Sequence, residues 1–141
     1  CRRHPDGTSV DLPTLLRECD VITVHTPLNA ETRGLIGKAE LAAMKPGAIL
    51  VNMARGAVTD EQAVTDAVLS GHLGGFGADV YSVEPYPETH PFNAIVGLPN
   101  VLLTPHMSWG AVEARERCLR EMIANMQAFW RGEVRNRVDL Q

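Results

Sequence analysis

Arg55, Glu84 and His106 are residues that together could do chemistry on a small anion. A guanidinium fork matches a carboxylate in bidentate geometry, and Gly56 beside Arg55 leaves room for close approach. The ordinary pKa of an imidazole, near about 6.5, lets a residue such as His106 give or take a proton at neutral pH. A carboxylate such as Glu84 placed beside an imidazole orients it and favours its protonated form. One at a time, these are also the residue types of solvated loops and of satisfied structural histidines. As a set they supply a carboxylate clamp, a proton donor and an anion that tunes the donor. Reduction of a 2-oxo acid needs that set, with hydride coming from a cofactor.

The elements that must position these side chains follow from local punctuation. Asp11 is placed to cap a short helix running to Glu18, with Pro13 near its start, where a missing N–H is harmless. Residues 21–24 (VITV) predict a strand that ends in His25, Thr26 and Pro27. One or two short helical turns are expected over 31–44, a turn at 45–47 and a second strand at 48–52 (AILVN). Asp60 caps an amphipathic helix with Ala63, Val64, Ala67 and Val68 on one side and Gly71 just past its end. A glycine-rich third strand is expected over 74–80, a proline-punctuated connection over 85–99 and a fourth strand over 100–104. The last helix, 110–131, carries a stripe of Val112, the Arg115 stem, Leu119, Met122, Ile123, Met126, Phe129 and Trp130, with Gly132 as its stop.

Short apolar strands alternating with helices predict an α/β fold whose parallel sheet is covered on both faces. Right-handed crossovers place every strand end on one edge, and ligands of such sheets bind outside the carboxyl ends of the strands. The residues just after the strands therefore matter most, and Arg55, Glu84 and His106 all fall there.

Composition narrows the function classes. Hydrophobic residues make up 45% and charged residues 21% of 141, the balance of one globular domain. A net charge of -4, with Arg2, Arg3 and His4 as the longest basic cluster, disfavours a nucleic-acid partner. No apolar run approaches the roughly 18 residues of a membrane span, and the first residues lack the apolar stretch of a signal peptide. Cys1, Cys19 and Cys118 are odd in number and scattered, so neither a disulfide framework nor a metal site is expected, and a reducing cytoplasm is the expected compartment. The chain opens without Met inside what reads as a loop, so a piece of a longer polypeptide is expected.

Three stretches resemble the D-isomer-specific 2-hydroxyacid dehydrogenase family, and the likeness runs through nearly the whole chain. The first is 19–28 (CDVITVHTPL) continuing to 31–36 (ETRGLI). The second is 44–47 (MKPG) with 51–56 (VNMARG) and Asp60. The third is 78–81 (ADVY) with Glu84, Pro85, 90–92 (HPF), 99–101 (PNV) and 104–106 (TPH). The resemblance implies that Arg55 holds the substrate carboxylate, that His106 is the acid/base and that Glu84 is its partner. It implies that Asp79 holds the nicotinamide carboxamide, and that Thr26, Met53, Ala54, Arg55 and the segment from His106 to Ser108 contact the cofactor. Small departures are Tyr81 where Phe is frequent and Met53 where a small residue or Cys is frequent.

The fold implied is a Rossmann-like doubly wound sheet of order 3-2-1-4-5-6, incomplete here. Residues 1–108 would be the later portion of an NAD(P)-binding domain lacking its glycine-rich first unit, and 109–141 a C-terminal helix and tail packing toward a substrate domain. Gly75 and Gly77 do not make the missing phosphate loop, because Val80 stands where a third glycine would be; they are read as permitting close packing. With strands numbered 3 to 6, two would be missing from the middle of the sheet, leaving ladder groups unpaired. The implied cofactor is NAD or NADP, and Arg2 and Arg3, near the end of the family's second strand, hint at a 2′-phosphate. Ser108, Trp109 and Gly110 look more like glyoxylate/hydroxypyruvate-reducing or glycerate-oxidising members. A formate- or phosphite-oxidising relative is the second reading, although formate-type members carry Gln where Glu84 stands. An NAD(H)-sensing corepressor is the non-enzyme reading. A homodimer is the implied assembly, with no nucleic acid or membrane partner.

Overall fold

A computed structural model of the chain describes residues 9–137. The chain divides into two compact units, one ending at His106 and one beginning at Met107. The first unit is built from α1 (Leu12–Glu18), β1 (Val21–Val24), α2 (Lys38–Ala43), β2 (Ala48–Asn52), α3 (Glu61–Leu69), β3 (Leu73–Ala78) and β4 (Val101–Leu103), with 3-10 turns at Gly56–Val58 and Pro91–Ala94.

Local chemistry sets most of these boundaries. Asp11 accepts the Thr14 amide at 2.8 Å and starts α1. Asp60 accepts the amides of Gln62 and Ala63 at 3.1 and 3.0 Å and starts α3. Gly71, at φ 74°, takes the left-handed conformation just beyond that helix. The face expected to be apolar, Ala63, Val64, Ala67 and Val68, is the face that α3 buries.

The four strands form one parallel sheet in the order β1-β2-β3-β4. Val24, Asn52, Ala78 and Leu103, close to or at the strand ends, lie side by side in a single row. Every loop carrying a candidate residue of this unit therefore leaves from one edge. This order corrects the expected gap in the sheet. β1 pairs with β2 directly over four residues, Val21 with Ile49 through Val24 with Asn52, so no missing strand separates them. The chain carries one continuous flank of a sheet.

The open parallel sheet with flanking helices is the Rossmann-like class expected, and within this chain its helices cover one face. Ile22, Leu50 and Phe76 lie in register on the covered face, among the buried residues that also include Leu16, Leu41, Val64 and Phe92. On the opposite face Val21, Ile49 and Leu102 are 55%, 41% and 68% exposed. The reason is the winding direction. Crossovers of one hand, repeated in one direction along the sheet, return every connection over the same face. Covering both faces requires a reversal of strand order, and these four strands contain none. Each large side chain buried on the covered face contributes roughly 1.5–3 kcal/mol; the Phe76 and Phe92 rings meet there at 5.1 Å between centroids.

The closest backbone approach in the sheet is at Gly74, rather than at Gly75 or Gly77. The β2–β3 register shifts there, and a Cβ on Gly74 would lie 2.3 Å from the Gly47 carbonyl oxygen. The second unit holds a 3-10 turn at Ser108–Gly110 and α4 (Val112–Trp130). Gly132, at φ 73°, follows its end as expected. Leu119, Met122, Ile123, Met126, Phe129 and Trp130 form its exposed apolar stripe.

Candidate active site

The loop after β2 is organised by Asn52, which is 1% exposed. Its carbonyl oxygen accepts the Ala54 amide at 3.0 Å, and its NH₂ donates to the Arg55 carbonyl at 3.0 Å and to the Thr59 hydroxyl at 3.3 Å. Thr59 in turn donates to the Gly56 carbonyl at 3.1 Å. A side-chain amide offers both donors and acceptors, so one residue satisfies the backbone groups released when the chain leaves the ladder. Arg55 projects from this loop with Nη1 donating to the Ala54 carbonyl at 2.7 Å. Arg55, Ala54, Met53, Leu28, Thr26 and His25 line a hollow of about 580 Å³.

Glu84 and His106 meet from different loops. Glu84 Oε2 lies 2.7 Å from His106 Nδ1, and Glu84 Oε1 accepts the Tyr81 amide at 2.9 Å. The hydrogen bond from His106 holds the Glu84 carboxyl below its usual range against the opposing effect of burial; the Tyr81 amide and, least, the charge of Arg55 add to the lowering. His106 sits at φ 52°, a left-handed conformation that costs a residue with a Cβ roughly 1–3 kcal/mol. The Thr104 carbonyl accepts the His106 amide at 3.0 Å and the Tyr81 hydroxyl at 2.8 Å. Tyr81, Glu84, Tyr86, Leu103, Pro105 and His106 line a second hollow, of about 500 Å³. Burial, and then the negative charge around it, pushes the Tyr81 phenol up to about 12.

Asp79 follows β3, is 1% exposed, and accepts the Thr104 hydroxyl at 2.5 Å. Thr104 thus touches Asp79 with its side chain while its carbonyl takes the His106 amide. Beside this lies a cluster that the sequence did not announce. Glu61 accepts the Ser82 amide at 2.7 Å, the Ser82 hydroxyl at 2.5 Å and His90 Nε2 at 3.0 Å. His90 Nδ1 accepts the Phe92 amide at 3.2 Å, so the proton on Nε2 points at Glu61. This network fastens the loop carrying Glu84 to the first turn of α3. Glu61 follows a capping Asp60 and by type alone is an ordinary first-turn acid; the HPF motif at 90–92 was the one available signal.

The structure brings Glu84 and His106 into contact and links Asp79 to them through Thr104. Thr26, Met53, Ala54 and Arg55 share the other hollow, with the Arg55 charge still felt at Glu84. Ser108 opens the 3-10 turn of the second unit. Arg2 and Arg3, offered as a 2′-phosphate site, lie outside the described residues. Among the described residues no group of three His, Cys, Asp or Glu side chains is placed to hold a metal ion, and no helix is long and apolar enough to cross a membrane.

The sequence pattern described as "D-isomer specific 2-hydroxyacid dehydrogenase, NAD binding domain" matches residues 2–108. Glycerate dehydrogenase of Methylorubrum extorquens is 40% identical over 135 residues, which is 96% of this chain and 43% of that protein. The mitochondrial formate dehydrogenase of Hordeum vulgare is 42% identical over 123 residues, 87% of this chain and 32% of that protein. A crystal structure of a glyoxylate reductase from Paecilomyes thermophila superposes with a TM-score of 0.80 at 36% identity, covering 94% of this chain and 39% of that one. The chain thus spans under half the length of these relatives. With its motifs, its one-way parallel sheet and the matched residues in agreement, the chain belongs to the D-isomer specific 2-hydroxyacid dehydrogenase family, in the part that forms the NAD-binding domain.

Proposed function

We propose that the protein carrying this chain transfers hydride between NAD(H) or NADP(H) and a small 2-oxo or D-2-hydroxy acid, with glyoxylate and hydroxypyruvate as the favoured oxo acids. The observation that carries this reading is the 2.7 Å pairing of Glu84 with His106 at the carboxyl edge of the sheet. A carboxylate on Nδ1 fixes the ring and leaves Nε2 to work as a proton donor to the carbonyl oxygen. Arg55 anchors the substrate carboxylate, since its guanidinium matches two oxygens at once. When bound, the dinucleotide supplies or accepts the hydride. Thr26, Met53 and Ala54, which line the hollow at the ends of β1 and β2, and the buried acceptor Asp79 would hold it; Ser108 is added on the family resemblance alone.

Oxidation of formate is the second reading, favoured by the barley relative's name and identity. Formate yields hydride and carbon dioxide from its carboxylate form without passing a proton to or from an alcohol oxygen. A paired imidazole has no such task there, so the Glu84–His106 contact favours the 2-oxo acid. Residues 1–108 would be the later portion of the cofactor domain and 109–141 a C-terminal helix and tail packing toward a substrate domain. A cytoplasmic homodimer completes the proposal, supported by the exposed apolar stripe of α4 and the free thiols of Cys19 and Cys118. The test is turnover by the full-length protein on a panel of 2-oxo acids, each with NADH and with NADPH, beside formate with the oxidised cofactors. Reduction of a 2-oxo acid is the expected result; turnover of formate alone, or of nothing, overturns it.

A further inference from the structure

We infer that the Tyr81 hydroxyl is a positioning group for His106, closing a ring of contacts that fixes how the imidazole faces Glu84. The inference rests on the proposed role of that pair in proton transfer. Tyr81 holds both partners at once. Its backbone N–H donates to Glu84 Oε1 at 2.9 Å, and its phenolic O–H donates to the Thr104 carbonyl at 2.8 Å. That same carbonyl accepts the amide of His106 at 3.0 Å. Glu84 Oε2 meets His106 Nδ1 at 2.7 Å, and the ring from Tyr81 through Glu84, His106 and Thr104 back to Tyr81 is closed.

The ring matters because of the backbone it restrains. His106 stands at φ 52°, where a residue with a Cβ remains only if its surroundings hold it. Pro105 fixes one torsion before it and the Thr104 carbonyl takes its amide, so the placement of that carbonyl restrains the backbone from which the imidazole projects. The Tyr81 hydroxyl is a side-chain donor on that carbonyl. The ring body of Tyr81 is held separately, 4.7 Å from Tyr86, 5.9 Å from His90 and 6.1 Å from Phe92 between centroids. Removing the oxygen alone therefore leaves the packing in place. The same carbonyl belongs to the residue whose hydroxyl meets Asp79, so the clamp holds the two candidate functional groups in one frame.

Tyr81→Phe in the full-length protein isolates the hydroxyl. The first measurement is the ¹⁵N spectrum of His106 in its neutral form, which reads the tautomer and needs no turnover. The wild-type ring is expected to carry its proton on Nδ1, facing Glu84, and the variant to show a mixture with Nε2–H. The second is steady-state kinetics on a 2-oxo acid, where kcat is expected to fall about fivefold while KM changes by less than about twofold. Unchanged ¹⁵N shifts in a folded Tyr81→Phe protein overturn the inference, even if His106→Ala abolishes turnover. A changed tautomer in a protein whose wild type reduces no 2-oxo acid upholds the clamp and removes the functional reading instead.

Discussion

A Cβ on Gly56 would lie 1.9 Å from the carbonyl carbon of Tyr81 and 2.1 Å from the Ser82 amide nitrogen. The loop carrying Arg55 and the loop carrying Glu84 therefore touch backbone against backbone. The glycine expected to admit a ligand's carboxylate instead admits the neighbouring peptide. The Arg55 charge makes the smallest of the contributions that lower the Glu84 carboxyl.

Gly56→Ala should consequently be severe. Main chain lies on the far side of the contact and cannot swing away like the tip of a side chain, so a loss of about 3 kcal/mol is expected, at the upper end for inserting a methyl into packed structure. Urea denaturation of the full-length variant measures it. Wild-type stability would show that the two loops separate without cost.

Glu84 predicts a pH dependence with a definite sign. Its carboxyl titrates below the ordinary 4.5 in the folded chain, chiefly through the hydrogen bond from His106. A group whose folded pKa is depressed stabilises the fold above its unfolded pKa, and that contribution disappears as pH falls through the folded value. The stability difference between wild type and Glu84→Gln should be present above pH 4.5 and shrink below it. Because the pair is partly exposed the effect is modest, and paired denaturation curves at each pH are the measurement. A difference that grows as pH falls below 4.5 contradicts the pairing.

Thr104 supplies a hydroxyl to a carboxylate that is 1% exposed. Replacing it with Val keeps the shape and removes a donor from buried Asp79, which should cost about 1–3 kcal/mol. Thr104→Ser should recover most of that. Equal stability of the Val and Ser variants by chemical denaturation would mean the hydroxyl contributes nothing.

Arg55 and His106 are expected to fail differently from one another. Arg55→Ala should raise KM for a 2-oxo acid and lower kcat/KM by about 100-fold or more, with Arg55→Lys a poor rescue because an ammonium cannot form the bidentate fork. His106→Ala should depress kcat by about 100-fold or more by removing the proton donor. Steady-state kinetics of the full-length variants check both, and near-normal turnover in either removes that residue from its role.

Much of the architecture was legible because it is written in local preferences. Asp11 and Asp60 cap helices because a short carboxylate reaches the amides of the next turn, and Gly71 and Gly132 follow the ends of α3 and α4 because glycine tolerates a positive φ. The strands 21–24 and 48–52 have the expected bounds for the same reason, since apolar β-branched runs between turn residues declare themselves. Placement of the candidate residues just after strands followed from the edge rule for parallel sheets.

The rest depended on contacts between residues far apart in sequence. The numbering of strands within an assumed order missed that β1 lies against β2, because strand pairing is a non-local choice that a four-residue run does not encode. Burial of a single sheet face followed from the direction of winding, which no window of sequence contains. Glu84 and His106, 22 positions apart, could be nominated by type, but only folding brought them to 2.7 Å. Tyr81 and Thr104 stand in stretches that carry the family resemblance, but the sequence assigns no role to them or to Glu61, since a phenol, a hydroxyl and a first-turn acid acquire a role only from the groups that close packing sets opposite them. Sequence determined which elements form and which residue types stand at their ends, through torsional and hydrogen-bonding preferences that act within a few residues. Tertiary structure alone decided which of those ends meet, because that choice is made by burial and long-range pairing acting on the whole chain at once.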